Sequence, residues 1–387
     1  MKAALVAVAY NRINSLRRLL RSLEEADYGD ERVTLIISVD KSDSDEVERF
    51  ATAYEWPHGP KRVKLHKRNM GLRAHILSQG EEEFDEFDTL VILEDDIIVS
   101  PAFFNFTRHA VEKYSGDPRI AGISLYSFPL NYLTGRPFAP MHRGHDVHFM
   151  HTAQSWGEVW MRDSWRRFHA WYKDNTDFGP DADVPASLFK WSRSWLKYHT
   201  RYCIETGCYF VYPNVAYSSN CGDAGTHTAG YNCYQTILQT RCALPLRLPD
   251  SVEEGVRYDA FFENEELYGA LGLSREECVL DLNGYRGAVA GRRYCLSSLT
   301  LPYSSVRSFG LNRRPVETNI LGNEPGDELH LYDTSVPAPA PQAAGVPGDI
   351  LYSFRLPGMT AIVRKYGLRR FFTELLRAGV KALLRRK

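Results

Sequence analysis

Two phosphate-binding signatures are missing from this 387-residue chain. It has neither a GxGxxG run nor a GxxxxGK[ST] run, so a dinucleotide or P-loop reading loses its usual glycine-rich cradle. The seven cysteines, Cys203, Cys208, Cys221, Cys233, Cys242, Cys278 and Cys295, include no CxxC pair, and their number is odd. That pattern argues against a zinc site or a disulfide framework and for free or buried thiols in a reducing cytosol. Nowhere do about 18 apolar residues run together, as a membrane-spanning helix requires. The opening MKAALVAVAYNR has only a short apolar run before Asn11 and Arg12, and is expected to be a first strand, not a signal peptide. A net charge of −1 gives no overall attraction for nucleic acid, and none of the usual DNA- or RNA-binding motifs is present. No nucleic-acid partner is expected.

What is present reads as globular, with 44% hydrophobic and 25% charged residues. The length suits two domains or one large domain with appendages. The organising stretch is TLVILEDDIIVSP, residues 89–101, an apolar run that ends in Glu94, Asp95 and Asp96 before the apolar pattern resumes. Such a continuous β-rich run suits a buried strand of a parallel sheet. Its acids then emerge at the strand's carboxyl end, where open α/β sheets bind ligands. Three adjacent carboxylates repel one another, so Mg²⁺ or Mn²⁺ with a bound phosphate is the natural partner, the alternative being a solvated acidic turn.

Upstream, residues 3–9 and 33–39 are further strands, and a short one is expected at 63–65. Leu16, Leu19, Leu20 and Leu23 repeat at helical spacing, and Asp40 stands at the end of the second strand. Strands alternating with helices predict a doubly wound α/β layer with a nucleotide across the carboxyl ends. Downstream come a helix over 101–118, a strand, and a loop carrying His142, His145, His148 and His151. Their spacing of three, with no cysteine, favours a polar substrate-facing loop over a zinc site. Trp156, Trp160, Trp165 and Trp171 could form an aromatic shelf for a sugar or base, or simply pack a core.

Four segments together resemble GT-A fold nucleotide-sugar glycosyltransferases, in the branch similar to eukaryotic N-acetylglucosaminyltransferase I and related bacterial polysaccharide transferases. They are AYNRINSLRRLLRSL, SVDKS, LVILEDDIIVSPAFF, and SWGEVW with YPNVAYSSNCGDAGTHT, joined by NMGLRAHI. The resemblance implies a GT-A, Rossmann-like fold: a mixed, mostly parallel sheet flanked by helices over residues 1–245. It also implies that Asn11 and Arg12 border the nucleotide of a UDP-sugar donor, that Asp40 meets the uracil or ribose, and that Arg73 lies near it. Glu94 and Asp95 would face the nucleoside, Asp96 would bind the divalent metal, and Thr226 and His227 would close over the phosphates, with His227 a second metal ligand. Inverting transfer to a lipid-linked or polysaccharide acceptor follows, with a carboxylate as base. The animal enzyme carries that base in a WDDW-like segment, whereas KWSRSW here has Ser192 between Trp191 and Trp195. Glu158 is then the first candidate base, followed by Asp181 and Asp183. The competing reading of Glu158 is a helix-face acid paired with Arg162.

Residues 246–335 are expected to be an extension packed on the catalytic domain, 336–350 a Pro/Ala linker, and 351–387 a basic amphipathic segment. In the last, Leu368, Phe371, Phe372, Leu375, Leu376, Val380 and Leu383 repeat at helical spacing, and nine Lys/Arg over 359–387 face one acid, Glu374. That pattern suits a helix lying in an anionic membrane interface, or one docked on the protein's own surface. A peripheral enzyme on the inner face of the cell membrane is the expectation. A nucleotidyltransferase and a catalytically inactive nucleotide-sugar-binding scaffold are the rivals.

Overall fold

The first strand, β1 (Ala3–Ala9), is apolar along its whole length because both its faces are covered. Leu5, Ala7 and Ala9 join one core cluster, and Ala4, Val6 and Val8 join another on the opposite face. Successive strand residues point to opposite sides, so a sheet buried on both demands an unbroken apolar run. The computed structural model describes residues 1–177, 179–192, 194–224, 234–242, 245–341, 363–365, 367–373, 375 and 376.

The order after β1 is α1 (Ile13–Glu24), β2 (Thr34–Val39), α2 (Glu46–Ala53), β3 (Lys61–Leu65), α3 (Leu72–Glu83), β4 (Thr89–Glu94), β5 (Ile97–Val99), α4 (Phe103–Tyr114), β6 (Ile120–Ser124), β7 (Val147–Met150) and β8 (Glu158–Met161). It continues with α5 (Arg162–Asp174), α6 (Ala186–Phe189), α7 (Leu196–Thr206), β9 (Tyr209–Pro213), β10 (Ser218–Asn220) and β11 (Arg257–Tyr258). A last group comprises α8 (Glu266–Leu271), β12 (Cys278–Asp281), β13 (Tyr294–Ser297), β14 (Tyr303–Phe309), α9 (Glu317–Leu321) and β15 (Leu329–Pro337).

Nine strands form one sheet in the order β11-β7-β9-β6-β8-β4-β1-β2-β3. β1 runs parallel to β2 and β4, and β2 runs parallel to β3. β8 is antiparallel to both β4 and β6, and β7 is antiparallel to β9. The result is the mixed, mostly parallel sheet expected. From β1 the chain first steps outward to β2 and β3, then returns to place β4 on the other side of β1. The carboxyl ends of β1 and β4 therefore flank a reversal of strand order, where such sheets open a ligand crevice.

Helices cover both faces. Leu16, Leu19, Leu20 and Leu23 of α1 are fully buried in the first cluster, with residues of α2 and α4. Each buried leucine contributes about 1.5–3 kcal/mol. α3, α5 and α7 cover the other face. A four-stranded sheet, β12-β13-β15-β14, carries a third core beside α8 and α9.

Several expectations shift. β11 belongs to the nine-stranded sheet, so that sheet extends past residue 245. β15 continues to Pro337, which moves any linker beyond that residue. Residues 342–350, and most of the basic tail, lie outside the described residues. Within the tail, residues 368–373 are helical, and Leu368, Phe372, Leu375 and Leu376 are exposed. Among the described residues no helix is long and apolar enough to cross a membrane, and the six described cysteines are all free thiols.

Candidate functional site

β1 and β4 lie side by side, with Val8 of β1 opposite Glu94 of β4. Arg12 follows β1 and the remaining acids follow β4, so adjacent parallel strands deliver a cation and a carboxylate cluster to one place. The Arg12 guanidinium bonds Asp95 through two nitrogens and Asp96 Oδ2 at 3.2 Å. Burial alone would lower the pKa of Arg12, but Asp95 and Asp96 raise it. Asp95 is pushed up to about 6, first by burial and then by Asp96 and Asp223, against the pull of Arg12. Glu94 rises to about 8 through burial and its two acidic neighbours, with Arg12 and the Trp195 side chain acting the other way.

The opposite wall arrives by a different route. β10 pairs antiparallel with β5, and the Cys221 amide donates to the Asp96 carbonyl at 2.8 Å. Asp223 then accepts from Ser15 Oγ at 2.6 Å and from the Arg18 guanidinium, both on α1. Burial would raise the Asp223 pKa, yet Arg18 and Ser15 hold it below the usual carboxylate range. Sequence reasoning did not single out Asp223 or Arg18. The only signal was their membership of two of the matched segments.

Asp96 is the residue best able to take a cation. Among the described residues its buried Oδ1 has no hydrogen-bond partner, an unmet acceptor beside one that Arg12 occupies. Among the described residues no three His, Cys, Asp or Glu side chains converge as a metal-binding group. A divalent ion on Asp96 would therefore draw its other ligands from phosphate oxygens and water, as Mg²⁺ commonly does. Thr226 and His227 lie outside the described residues.

Asn11 is exposed just beyond β1. Asp40 is buried and spends its carboxylate on the backbone: Oδ1 accepts from Lys41 and Met70 N–H, and Oδ2 from Gly71 N–H at 3.0 Å. It clamps the loop into α3, so any part it plays toward a nucleoside is through that loop. Arg73 also departs from expectation. Its guanidinium bonds the carbonyls of Ser192 and Ser194 and the Tyr198 hydroxyl, fixing the KWSRSW segment in place.

Glu158 requires a correction. It sits in strand β8, not on a helix, and its side chain is 0% exposed. Arg162 bonds the Phe87 carbonyl and Asp88 instead. Glu158 Oε1 lies 3.3 Å from His199 Nδ1, too misaligned for a hydrogen bond, and among the described residues neither carboxyl oxygen has a well-aligned hydrogen-bond partner. Burial drives its pKa well up and that of His199 down to about 3, so the two face each other uncharged. An acid sealed in this way has no path to an acceptor hydroxyl. Asp181 is exposed and accepts the Asp183 amide. Asp183 is held by Arg286 and Arg292, which keep its pKa low against burial. Neither makes a hydrogen bond or ion pair with the acidic triplet among the described residues.

The tryptophan shelf is mostly core. Trp160 and Trp165 are buried behind the sheet, while Trp156 and Trp171 remain half-buried. The histidine loop divides likewise: His148 and His151 are interior and bond Asn214 and the Cys208 carbonyl.

No family model matches this sequence, and no curated protein matches it significantly. Among solved structures, residues 1–349 of S. aureus TarS in complex with UDP-GlcNAc overlap 59% of this chain at 15% identity and a TM-score of 0.38. The mannosyltransferase PcManGT from Pyrobaculum calidifontis, in complex with GDP-Man and Mn²⁺, overlaps 55% at 14% identity and a TM-score of 0.34. The chain spans 60% of the first and 57% of the second. Likenesses this distant fix neither activity nor substrate.

Proposed function

We propose that the protein is a glycosyltransferase that takes a nucleotide-sugar donor, with UDP-sugars the first class to test, and transfers the sugar to a glycan or lipid-linked acceptor. The observation that carries this reading is the crevice at the carboxyl ends of β1 and β4, where Arg12 meets Asp95 and Asp96 and where Asp96 Oδ1 stays unpartnered. Mn²⁺ or Mg²⁺ held by Asp96 would neutralise the leaving diphosphate. Arg12 and Arg18 add fixed positive charge on the same side, and the exposed Asn11 borders the entrance. In this reading Glu94 and Asp95 would shape the nucleoside end, with Asp40 and the 69–71 loop supporting it, and Thr226 and His227 would be the residues assigned to the phosphates and metal.

With Glu158 sealed in the core, the catalytic base falls to the loop of Asp181 and Asp183, the other two candidate carboxylates. A carboxylate there would accept the acceptor hydroxyl's proton as the sugar inverts. The basic tail would bring the enzyme to an anionic membrane surface, where a lipid-linked acceptor resides.

Thermal unfolding with Mn²⁺ and a panel of UDP- and GDP-sugars tests the donor reading, since a ligand that binds only the folded state raises the melting temperature. Metal-dependent protection with slow donor hydrolysis is expected. Protection by none of them overturns the transferase, and release of pyrophosphate instead of a nucleoside diphosphate identifies a nucleotidyltransferase. Metal-dependent binding without turnover under any acceptor leaves a nucleotide-sugar-binding scaffold.

A further inference from the structure

A second cleft opens where the large sheet meets the four-stranded one, away from the triplet. Its volume is about 160 Å³, and its walls include Phe138, Phe262, Glu263, Asn283, Arg314 and Glu317. That is below the ~300 Å³ of a drug-sized pocket and close to a ~150 Å³ cavity that holds a benzene ring, so it suits one ring-sized unit. Phe262 adopts φ 66°, a left-handed backbone that a bulky residue enters only under local constraint. The constraint is visible: Asp259 Oδ1 accepts from both Phe261 N–H and Glu263 N–H, and Asp259 N–H donates to the Glu263 carbonyl. This tight loop sets Glu263 on the cleft wall with Phe262 beside it.

Glu263 is only 2% exposed. Its Oε1 accepts from the backbone and side-chain nitrogens of Asn283, both at 2.9 Å. Its Oε2 has no partner among the described residues. Burial, and then Asp259 and Asp281, push its pKa well above the usual range, so it is a neutral acid with a proton to donate. Asn283 Nδ2 also faces the carbonyls of Phe261 and Phe262, which turns its Oδ1 the other way as a spare acceptor. Glu317 is engaged by the Tyr258 hydroxyl at 2.6 Å. The cleft thus offers a donor and an acceptor side by side, the half-buried ring of Phe138, and acids near one arginine. Burial pushes Glu263 and Glu317 toward their neutral forms, so they offer hydrogen bonds more than charge, and among the described residues no metal-binding group is formed.

We propose that this cleft is a saccharide-binding site, taking one neutral pyranose ring whose adjacent hydroxyls pair with Glu263 and Asn283 while a ring face rests on the half-buried Phe138. Each sugar hydroxyl both donates and accepts, which matches the pair, and the Phe138 ring supplies the apolar contact. Holding a glycan acceptor there during transfer would rest on the function proposed above; binding itself does not.

The test is saturation-transfer NMR and calorimetry on the full chain, without nucleotide. The probes are the methyl glycosides of glucose, galactose, mannose and N-acetylglucosamine, with methyl glucuronide as the charged control. Saturable millimolar binding of at least one neutral glycoside is expected, undiminished by saturating UDP and Mn²⁺. Glu263→Ala and Phe138→Ala should each weaken it about tenfold or more, while Glu263→Gln, which keeps an acceptor for Asn283 and an N–H donor, should stay within about threefold. Phe138→Ala serves should Glu263→Ala fail to fold. No saturable binding of any neutral probe, unchanged binding in the folded variants, displacement by UDP, or preference for the glucuronide each overturns the site. Loss of donor binding with glycoside binding intact would instead count against the transferase alone.

Discussion

At the scale of single residues, the crevice separates two carboxylates that look equivalent on paper. Asp95 is committed to Arg12, whereas Asp96 keeps one oxygen unpartnered. Asp96→Ala should therefore abolish Mn²⁺-dependent protection by donor nucleotide while leaving the melting temperature of the free protein nearly unchanged; thermal shift with and without metal reads both. Glu94 gives a pH prediction. A carboxyl whose pKa is raised on folding binds protons more tightly in the native state, so its contribution to stability falls as pH climbs from its ordinary value through its folded one. For Glu94 that window runs from the ordinary 4.5 up to about 8. Glu94→Gln should lose this decline, so its melting temperature relative to the natural protein should rise across the window and level off above it. The triplet was legible because three adjacent acids seldom interrupt an apolar strand unless a cation offsets their repulsion. Glu158 was not, since SWGEVWMRDSW reads as helical and nothing local reveals a strand whose acid points into the interior.

At the scale of elements, α3 and α5 pack more closely than their sequences suggest. Gly80 lies inside α3, where alanine normally gains up to about 1 kcal/mol. Here a Cβ would drive into the indole of Trp165 on α5. Gly80→Ala should instead destabilise by about 1–3 kcal/mol, measured by urea unfolding. Trp160→Ala tests whether its indole belongs to the core. It should cost about 3–5 kcal/mol, a cavity-sized loss that a substrate shelf would not show. Helix positions were largely readable from leucine spacing, as α1 demonstrates. The tryptophans were ambiguous because the same aromatic area serves a sugar or a core, and only the neighbouring strands decide. Arg73 shows the same limit: its partners lie more than a hundred residues away in the chain.

At the scale of the whole molecule, the architecture divides into a sheet that forms the crevice and a smaller sheet joined to it. Arg286 ties them, bonding Asp183 at 2.8 Å, lying 3.7 Å from Asp259, and stacking over Phe261. The first 245 residues were readable as an α/β layer from alternating strand and helix signals. The four-stranded sheet was not, because its pairing partners are scattered over about sixty residues of chain. The tail sets a further prediction. Removing residues after Gly358 should release the protein from anionic vesicles in a sedimentation assay, and raising the salt should do the same to the intact chain, as expected when each near-surface cation adds about 1 kcal/mol. Retention of the shortened chain would place the attachment elsewhere.

The clasp between α1 and Asp223 also orders events during synthesis. Ser15 and Asp223 are 208 positions apart, and β5 finds its partner only when β10 has been made. A nascent chain that has left the ribosome as far as α7 already carries Arg12, Asp95 and Asp96, but has no far wall to close around them. Domains assemble as units while synthesis proceeds, and in this one the crevice's far wall cannot close until more than half of the chain has been made.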